Sequence, residues 1–216
     1  MKVWNRFRNK ESENVLKSPV EQKISATYPN VELEYADRFL SRRGEVVDLS
    51  NSVDKTPVYV GEGSVIVANS DRELYTDKMF SCIGVFIKGN RGNSLAHMTR
   101  DKDLAYSQSD KNKSPIDIIL DSTRSIGETI QIVIIEPKFF EDQADIEKAL
   151  ASIEQGLRER NIRVRREKFA MTGLGVYYSP QKPNEILVFG KKVSGKEPMP
   201  ILVSSKDEPD FKFLKL

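Results

Sequence analysis

From Pro57 onward, apolar and polar positions fall into clear periods. Val58-Tyr59-Val60 and Ser64-Val65-Ile66-Val67-Ala68 are short β-branched runs, separated by Gly61-Glu62-Gly63, and predict two strands. Residues 69–81 are polar and predict a turn or short helix. Cys82-Ile83-Gly84-Val85-Phe86-Ile87 is a continuous apolar run of the length of a strand buried on both faces. A turn cluster, Gly89-Asn90-Arg91-Gly92-Asn93, leads into Ser94–Met98 as a partner strand. Ser114 and Pro115 read as a helix cap and first helical residue, with Ile116, Ile119 and Leu120 on one face and Gly127 as the stop. Residues 130–136 are β-branched and predict a central strand. Asp142 can cap a second helix, whose Ile146, Ala149, Leu150, Ile153 and Leu157 follow helical spacing up to Asn161. Residues 162–169, 175–179 and 185–189 predict three more strands, the last two a hairpin. Ile201-Leu202-Val203 predicts an edge strand in a proline-containing tail.

The sum is an α/β domain with mixed sheets and two main helices, strands outnumbering helices. Residues 1–56 hold ten basic and nine acidic side chains and few apolar clusters, so they read as a polar extension that is partly disordered or wraps the domain. Residues 45–49 are its one strand-like run. The expected division is therefore 1–56 extension, 57–191 main domain and 192–216 tail or edge strand.

Composition narrows the chemistry. The chain is 38% hydrophobic and 31% charged, with mean hydropathy −0.47, and no run approaches the roughly 20 apolar residues of a membrane span. A net charge of +2 is too balanced for a general nucleic-acid binder. The N-terminus lacks the apolar core of a secretory signal, which fits a cytoplasmic protein and equally an effector delivered into a host cell by a specialised secretion system. One cysteine and one histidine leave no set for a Cys/His zinc site and no disulfide within the chain. No metal or cofactor is expected.

Those two residues, Cys82 and His97, stand fifteen apart on neighbouring predicted strands. A thiol nucleophile needs a base within hydrogen-bond reach, and the base needs a third group to hold its tautomer. A hairpin can supply the first condition, and backbone N–H groups at Ser81 and Cys82 can meet an oxyanion. Parity raises a difficulty. If Lys88 pairs with Ser94 across a five-residue turn, His97 stands opposite Val85, and Cys82 points to the other face. A bulge or a one-residue change of register puts both on one face. The chemistry therefore predicts an irregularity between residues 82 and 97, or Cys82 lying ahead of the regular strand. The bland alternative is a buried apolar cysteine and a structural histidine.

Thr76 six residues before Cys82, Ser81 directly before it, and His97 after a glycine-containing hairpin together resemble the chemoreceptor glutamine deamidase CheD. That family carries Leu-Gly-Ser-Cys with a Thr six residues ahead, and a His in Gly-Gly-x-x-His. Cytotoxic necrotizing factor and lethal-factor-type deamidases share the Cys-His core. The order of elements over roughly 57–190 is also similar. The resemblance implies a layered α-β sandwich of the CheD-like type. It implies Cys82 as nucleophile, His97 as general base and Thr76 as the group orienting the imidazole. The implied reaction is hydrolysis of a glutamine carboxamide in a protein substrate through a thioester, or transglutamination with an amine acceptor. Phe80 stands where CheD has Gly, and Asn93-Ser94 replaces its Gly pair. These departures fit a divergent bacterial toxin or effector acting on a host protein at least as well as the chemotaxis enzyme. Another Cys-His hydrolase, or an inert binding domain on the same fold with Phe80 closing the site, are the alternatives. A monomer is expected.

Elsewhere, residues 158–168 hold six basic and two acidic side chains, which read as a solvated helix end and a charge-guarded edge strand before an acidic-partner surface. Phe139-Phe140 read as a staple ahead of the second helix.

Overall fold

The computed structural model describes Ile24 and residues 37–39, 46–99, 115–137, 144–192 and 210–216. The cap residues Ser114 and Asp142, the Phe139-Phe140 pair and the 201–203 strand lie outside these.

Among the described residues the chain folds as a mixed α/β structure, with two six-stranded sheets and two helices of more than one turn. In chain order the strands are β1 (Asp37–Phe39), β2 (Val46–Leu49), β3 (Val58–Val60), β4 (Val65–Asn69), β5 (Leu74–Met79), β6 (Cys82–Gly89) and β7 (Gly92–Thr99). Helix α1 (Pro115–Thr123), β8 (Thr129–Pro137), helix α2 (Ala144–Arg158), β9 (Val164–Phe169), β10 (Met171–Tyr178), β11 (Glu185–Lys192) and β12 (Asp210–Lys215) follow. One sheet runs β1-β3-β5-β10-β11-β12; the other runs β2-β4-β7-β6-β8-β9. Strands β1 and β2, from the polar extension, pair in parallel with β3 and β4 at the two sheet edges, and Ile24 is buried.

Three apolar layers follow from alternation along the strands. Between the sheets, Val60, Leu74, Met79 and Val176 meet Ile66, Phe86, Leu95, Val133 and Ile135. On the other face of the second sheet, Val85, Ile87, Ile132 and Ile134 pack with Ile119 of α1 and Leu150, Ile153 and Leu157 of α2. Strand β6 supplies both layers, which explains its unbroken apolar run. The outer face of the first sheet carries Tyr75, Tyr177, Leu187 and Phe189 packed with Ile24.

Helix α2 ends as its sequence suggests. Asn161 takes a left-handed φ of 59°. Its N–H donates to the Arg158 carbonyl, and Ile162 N–H reaches back to Leu157. This is a Schellman closure, with Ile162 packed in the same apolar cluster as Leu157.

The polar stretch before Cys82 holds a turn at Ser70-Asp71, closed by Arg72 N–H on Asn69 O, but no helix: its residues 74–79 form β5, with Leu74, Tyr75, Thr76 and Met79 buried. Its alternation is broken by a bulge. Val176 pairs with Thr76 and Leu174 with Met79, so β5 carries one residue more than β10 over the same span. Lys78 absorbs it at a φ of 57°. Thr76 and Met79 therefore both face the layer between the sheets. Asp77 faces outward and accepts hydrogen bonds from the Tyr59 and Tyr75 hydroxyls, each 2.8 Å.

Candidate active site

Strands β6 and β7 pair without a bulge, but one residue away from the register that a five-residue turn gives. Lys88 pairs with Asn93, so the loop is only Asn90-Arg91, and His97 stands opposite Gly84 rather than Val85. Cys82 lies two residues from Gly84 and opposite Thr99, so Cys82 and His97 share the face between the sheets as diagonal neighbours. Such neighbours have Cα atoms about 7–8 Å apart, within reach of an imidazole. Gly84 leaves this face open. A Cβ there would sit 3.2 Å from Met79 Cε and 3.3 Å from its Sδ, so the Met79 side chain lies over the position facing His97.

The first sheet supplies the third residue. Thr76 Oγ1 donates to the Val60 carbonyl at 2.7 Å and lies 2.9 Å from His97 Nδ1. A hydroxyl has one hydrogen, already given to Val60, so Nδ1 must be the donor to Thr76. That protonates Nδ1 and leaves the lone pair of the neutral ring on Nε2. The hydrogen-bond chain thus selects the tautomer with Nε2 as base. Thr76 is fully buried, His97 is 3% exposed and Cys82 7%.

The backbone of His97 is clamped from β4. Gly63 N–H donates to the His97 carbonyl at 2.8 Å, and His97 N–H donates to Ser64 O at 3.0 Å. Ser64 N–H closes a turn onto Gly61 O, with Gly63 at a φ of 74°. Gly63 and Ser64 together oppose the single residue His97, a bulge of the kind that takes glycine in the left-handed region. The irregularity expected between residues 82 and 97 is absent, since Cys82 to Lys88 pair regularly with Thr99 to Asn93, and the shared face comes from the shifted register; the bulges lie instead beside His97 at Gly63-Ser64 and beside Thr76 at Lys78. Gly63→Ala is expected to lower stability by about 1–2 kcal/mol, the cost of a side chain at that φ. It should also slow any His97-dependent reaction. Urea denaturation and thiol alkylation measure the two effects.

Strand β6 meets β8 only from Gly84, opposite Ile135, onward. Ser81 is exposed and Phe80 half-buried, so the chain surfaces immediately before Cys82. Of the predicted residues Cys82, His97, Thr76 and Ser81, Thr76 and His97 are in hydrogen-bond contact, and Cys82 lies on the same sheet face two residues along β6 from the position opposite His97. Sequence reasoning missed the Val60 carbonyl, Ser64 and Gly84. Only the glycines at 61 and 63 signalled that turn chemistry adjoined the site.

A second charged group lies on the helix side of the second sheet. Glu136, fully buried, accepts from Arg166 Nε and Nη2 at 3.0 and 2.8 Å. Arg166 and Lys168 also contact Glu147 of α2, at 3.2 and 2.8 Å. Burial pushes the Glu136 carboxyl up, against the attraction of Arg166. With Arg158 on Glu154 and Arg165 on Glu167, four of the six basic residues of 158–168 have acidic partners. A shallow depression lined by Ala151, Glu154, Gln155, Arg158 and Glu159 lies on α2, across the second sheet from Cys82. Among the described residues no three His, Cys, Asp or Glu side chains gather as a metal site, and no helix is long and apolar enough to cross a membrane.

No protein-family model and no curated protein matches the chain.

Proposed function

We propose that the protein is a cysteine-dependent glutamine deamidase acting on a protein substrate, on a layered α-β sandwich of the CheD-like type. The observation that carries this reading is the chain from His97 Nδ1 through Thr76 Oγ1 to the Val60 carbonyl, with Cys82 on the same face. A histidine held only for packing does not need its tautomer selected by a buried threonine from another sheet. In the proposed reaction Nε2 of His97 takes the Cys82 proton, and the thiolate attacks the carboxamide carbon. The backbone N–H groups of Ser81 and Cys82 meet the oxyanion. Nε2–H returns the proton to the departing nitrogen, and ammonia leaves a thioester. Water, deprotonated by Nε2, hydrolyses the thioester to glutamate and restores the thiol. An amine in place of that water gives transglutamination. A bacterial effector or toxin acting on a host protein is the setting that fits the sequence departures from CheD.

Burial of Cys82 favours a second reading, an inert binding domain on this fold. Incubating wild type and Cys82→Ser with bacterial and eukaryotic lysates, and mapping Gln-to-Glu conversion by mass spectrometry, separates the two. The deamidase yields conversion that Cys82→Ser abolishes. Absence of Cys82-dependent conversion in both lysates overturns it.

A further inference from the structure

His97 has a second hydroxyl beside it. Val65 of β4 pairs with Ala96 of β7, and both face the helices. Ser64 and His97, one step on, both turn to the layer between the sheets. Their backbones are joined by the His97 N–H to Ser64 O bond, so the side chains are immediate lateral neighbours. Ser64 is 1% exposed, and its Oγ has no hydrogen-bond partner among the described residues. The bulge at Gly63 keeps Ser64 on this face, next to the one proposed site residue that must gain a positive charge.

An unpartnered buried hydroxyl is costly in a resting protein. It is useful where charge appears during a reaction. Its rotor has no bond to surrender, so its oxygen can turn toward a new cation. Around it the first sheet contributes the apolar Met79 and Val176 at Gly84, opposite His97, and Val60 beside Thr76, while Thr99, two residues on along β7, stands opposite Cys82. Cys82 is the titratable group nearest on β6. Tyr178, bonded to Ser70 O, and Arg72, turned to Thr56 O and Asp54, lie toward the opposite end of β5. Asp77 and Lys78, next along β5, are turned outward and held in the bulge.

We infer that Ser64 is a positioning residue of the Cys82–His97–Thr76 site, its hydroxyl stabilising the His97 imidazolium that forms when Cys82 loses its proton. The inference rests on the proposed catalytic reading and adds the preference for the charged state that the resting hydrogen bonds do not supply.

The test is the pH dependence of Cys82 alkylation by iodoacetamide, in wild type, Ser64→Ala and Ser64→Gly, each also in a His97→Ala background. Both Ser64 variants should slow alkylation at neutral pH by about ten-fold, the worth of one hydrogen bond to a charged group. The rise of rate should move to higher pH, with the thermal midpoint of Ser64→Ala unchanged or raised. Neither variant should have any effect once His97 is alanine. A wild-type profile in both variants, or equal slowing in both backgrounds, overturns the role of Ser64 and leaves the catalytic reading standing. Wild-type alkylation that does not depend on His97 overturns both.

Discussion

His97→Ala is expected to reduce Cys82-dependent deamidation by about 10²–10⁴-fold, the usual worth of a positioned general base. Cys82→Ser should reduce it to background. The large effect has two sources. In the proposed mechanism Nε2 accepts the thiol proton as the thiolate attacks and returns it to the departing amide nitrogen, which leaves as ammonia, so without it both proton transfers of the acylation lose their carrier. The chain also has no second histidine to substitute. Thermal stability should change far less than activity, which separates this role from that of a core side chain. Thr76→Val should fall between wild type and His97→Ala. It keeps the volume, but strands the Val60 carbonyl and the Nδ1–H without their shared hydroxyl. A His97→Ala variant that deamidates within a factor of two of wild type removes the mechanism.

The second large effect is on stability. Arg166→Met should destabilise the protein by about 3–5 kcal/mol at pH 7, because it leaves the fully buried Glu136 carboxylate without its cation. The pH dependence has a fixed sign. Burial raises the Glu136 pKa above its ordinary value, so at pH values between the two the folded state holds a proton that the unfolded state has released. The stability that Glu136 contributes is present below its ordinary value and is lost as pH rises through the raised one. Removing Arg166 removes an influence that lowers this pKa, so the window widens upward. The deficit of Arg166→Met should therefore shrink between pH 7 and pH 5. Glu136→Gln in the same background should restore much of the loss at pH 7. Urea denaturation at the two pH values measures both. A loss under about 1 kcal/mol, equal at both, contradicts this account of how α2 and β9 are fastened to β8.

Strands β6 and β8 and both helices were legible because their apolar periods run unbroken; β10 was legible only from Gly175, because the left-handed Gly173 and the register shift between Thr172 and Gly175 break its first half. Strand β5 was not, because Lys78 inserts a residue between Thr76 and Met79 and destroys the alternation that marks a strand. The register of Cys82 against His97 was misjudged for a related reason. Gly89 and Gly92 look like loop residues, yet they lie inside β6 and β7. A Cβ at Gly89 would stand 2.5 Å from Ile126 O, and one at Gly92 2.4 Å from Ala68 O. Glycine is present for close approach, not for the turn, and the turn is correspondingly shorter. That difference moves His97 from opposite Val85 to opposite Gly84 and brings the two chemical residues onto one face. The pairing of Thr76 with His97 is a contact between sheets, set by packing that no local period encodes. The resemblance placed Thr76 in the site, and the fold supplies the Val60 carbonyl that gives its hydroxyl a direction.

The central claim is that Thr76 fixes the His97 tautomer. Because His97 is the only histidine, a long-range ¹H–¹⁵N correlation spectrum of the ¹⁵N-labelled protein shows a single imidazole. At pH 8 the account predicts a proton on Nδ1, and loss of that preference in Thr76→Val. An imidazole protonated on Nε2 alone in the wild-type protein would contradict it.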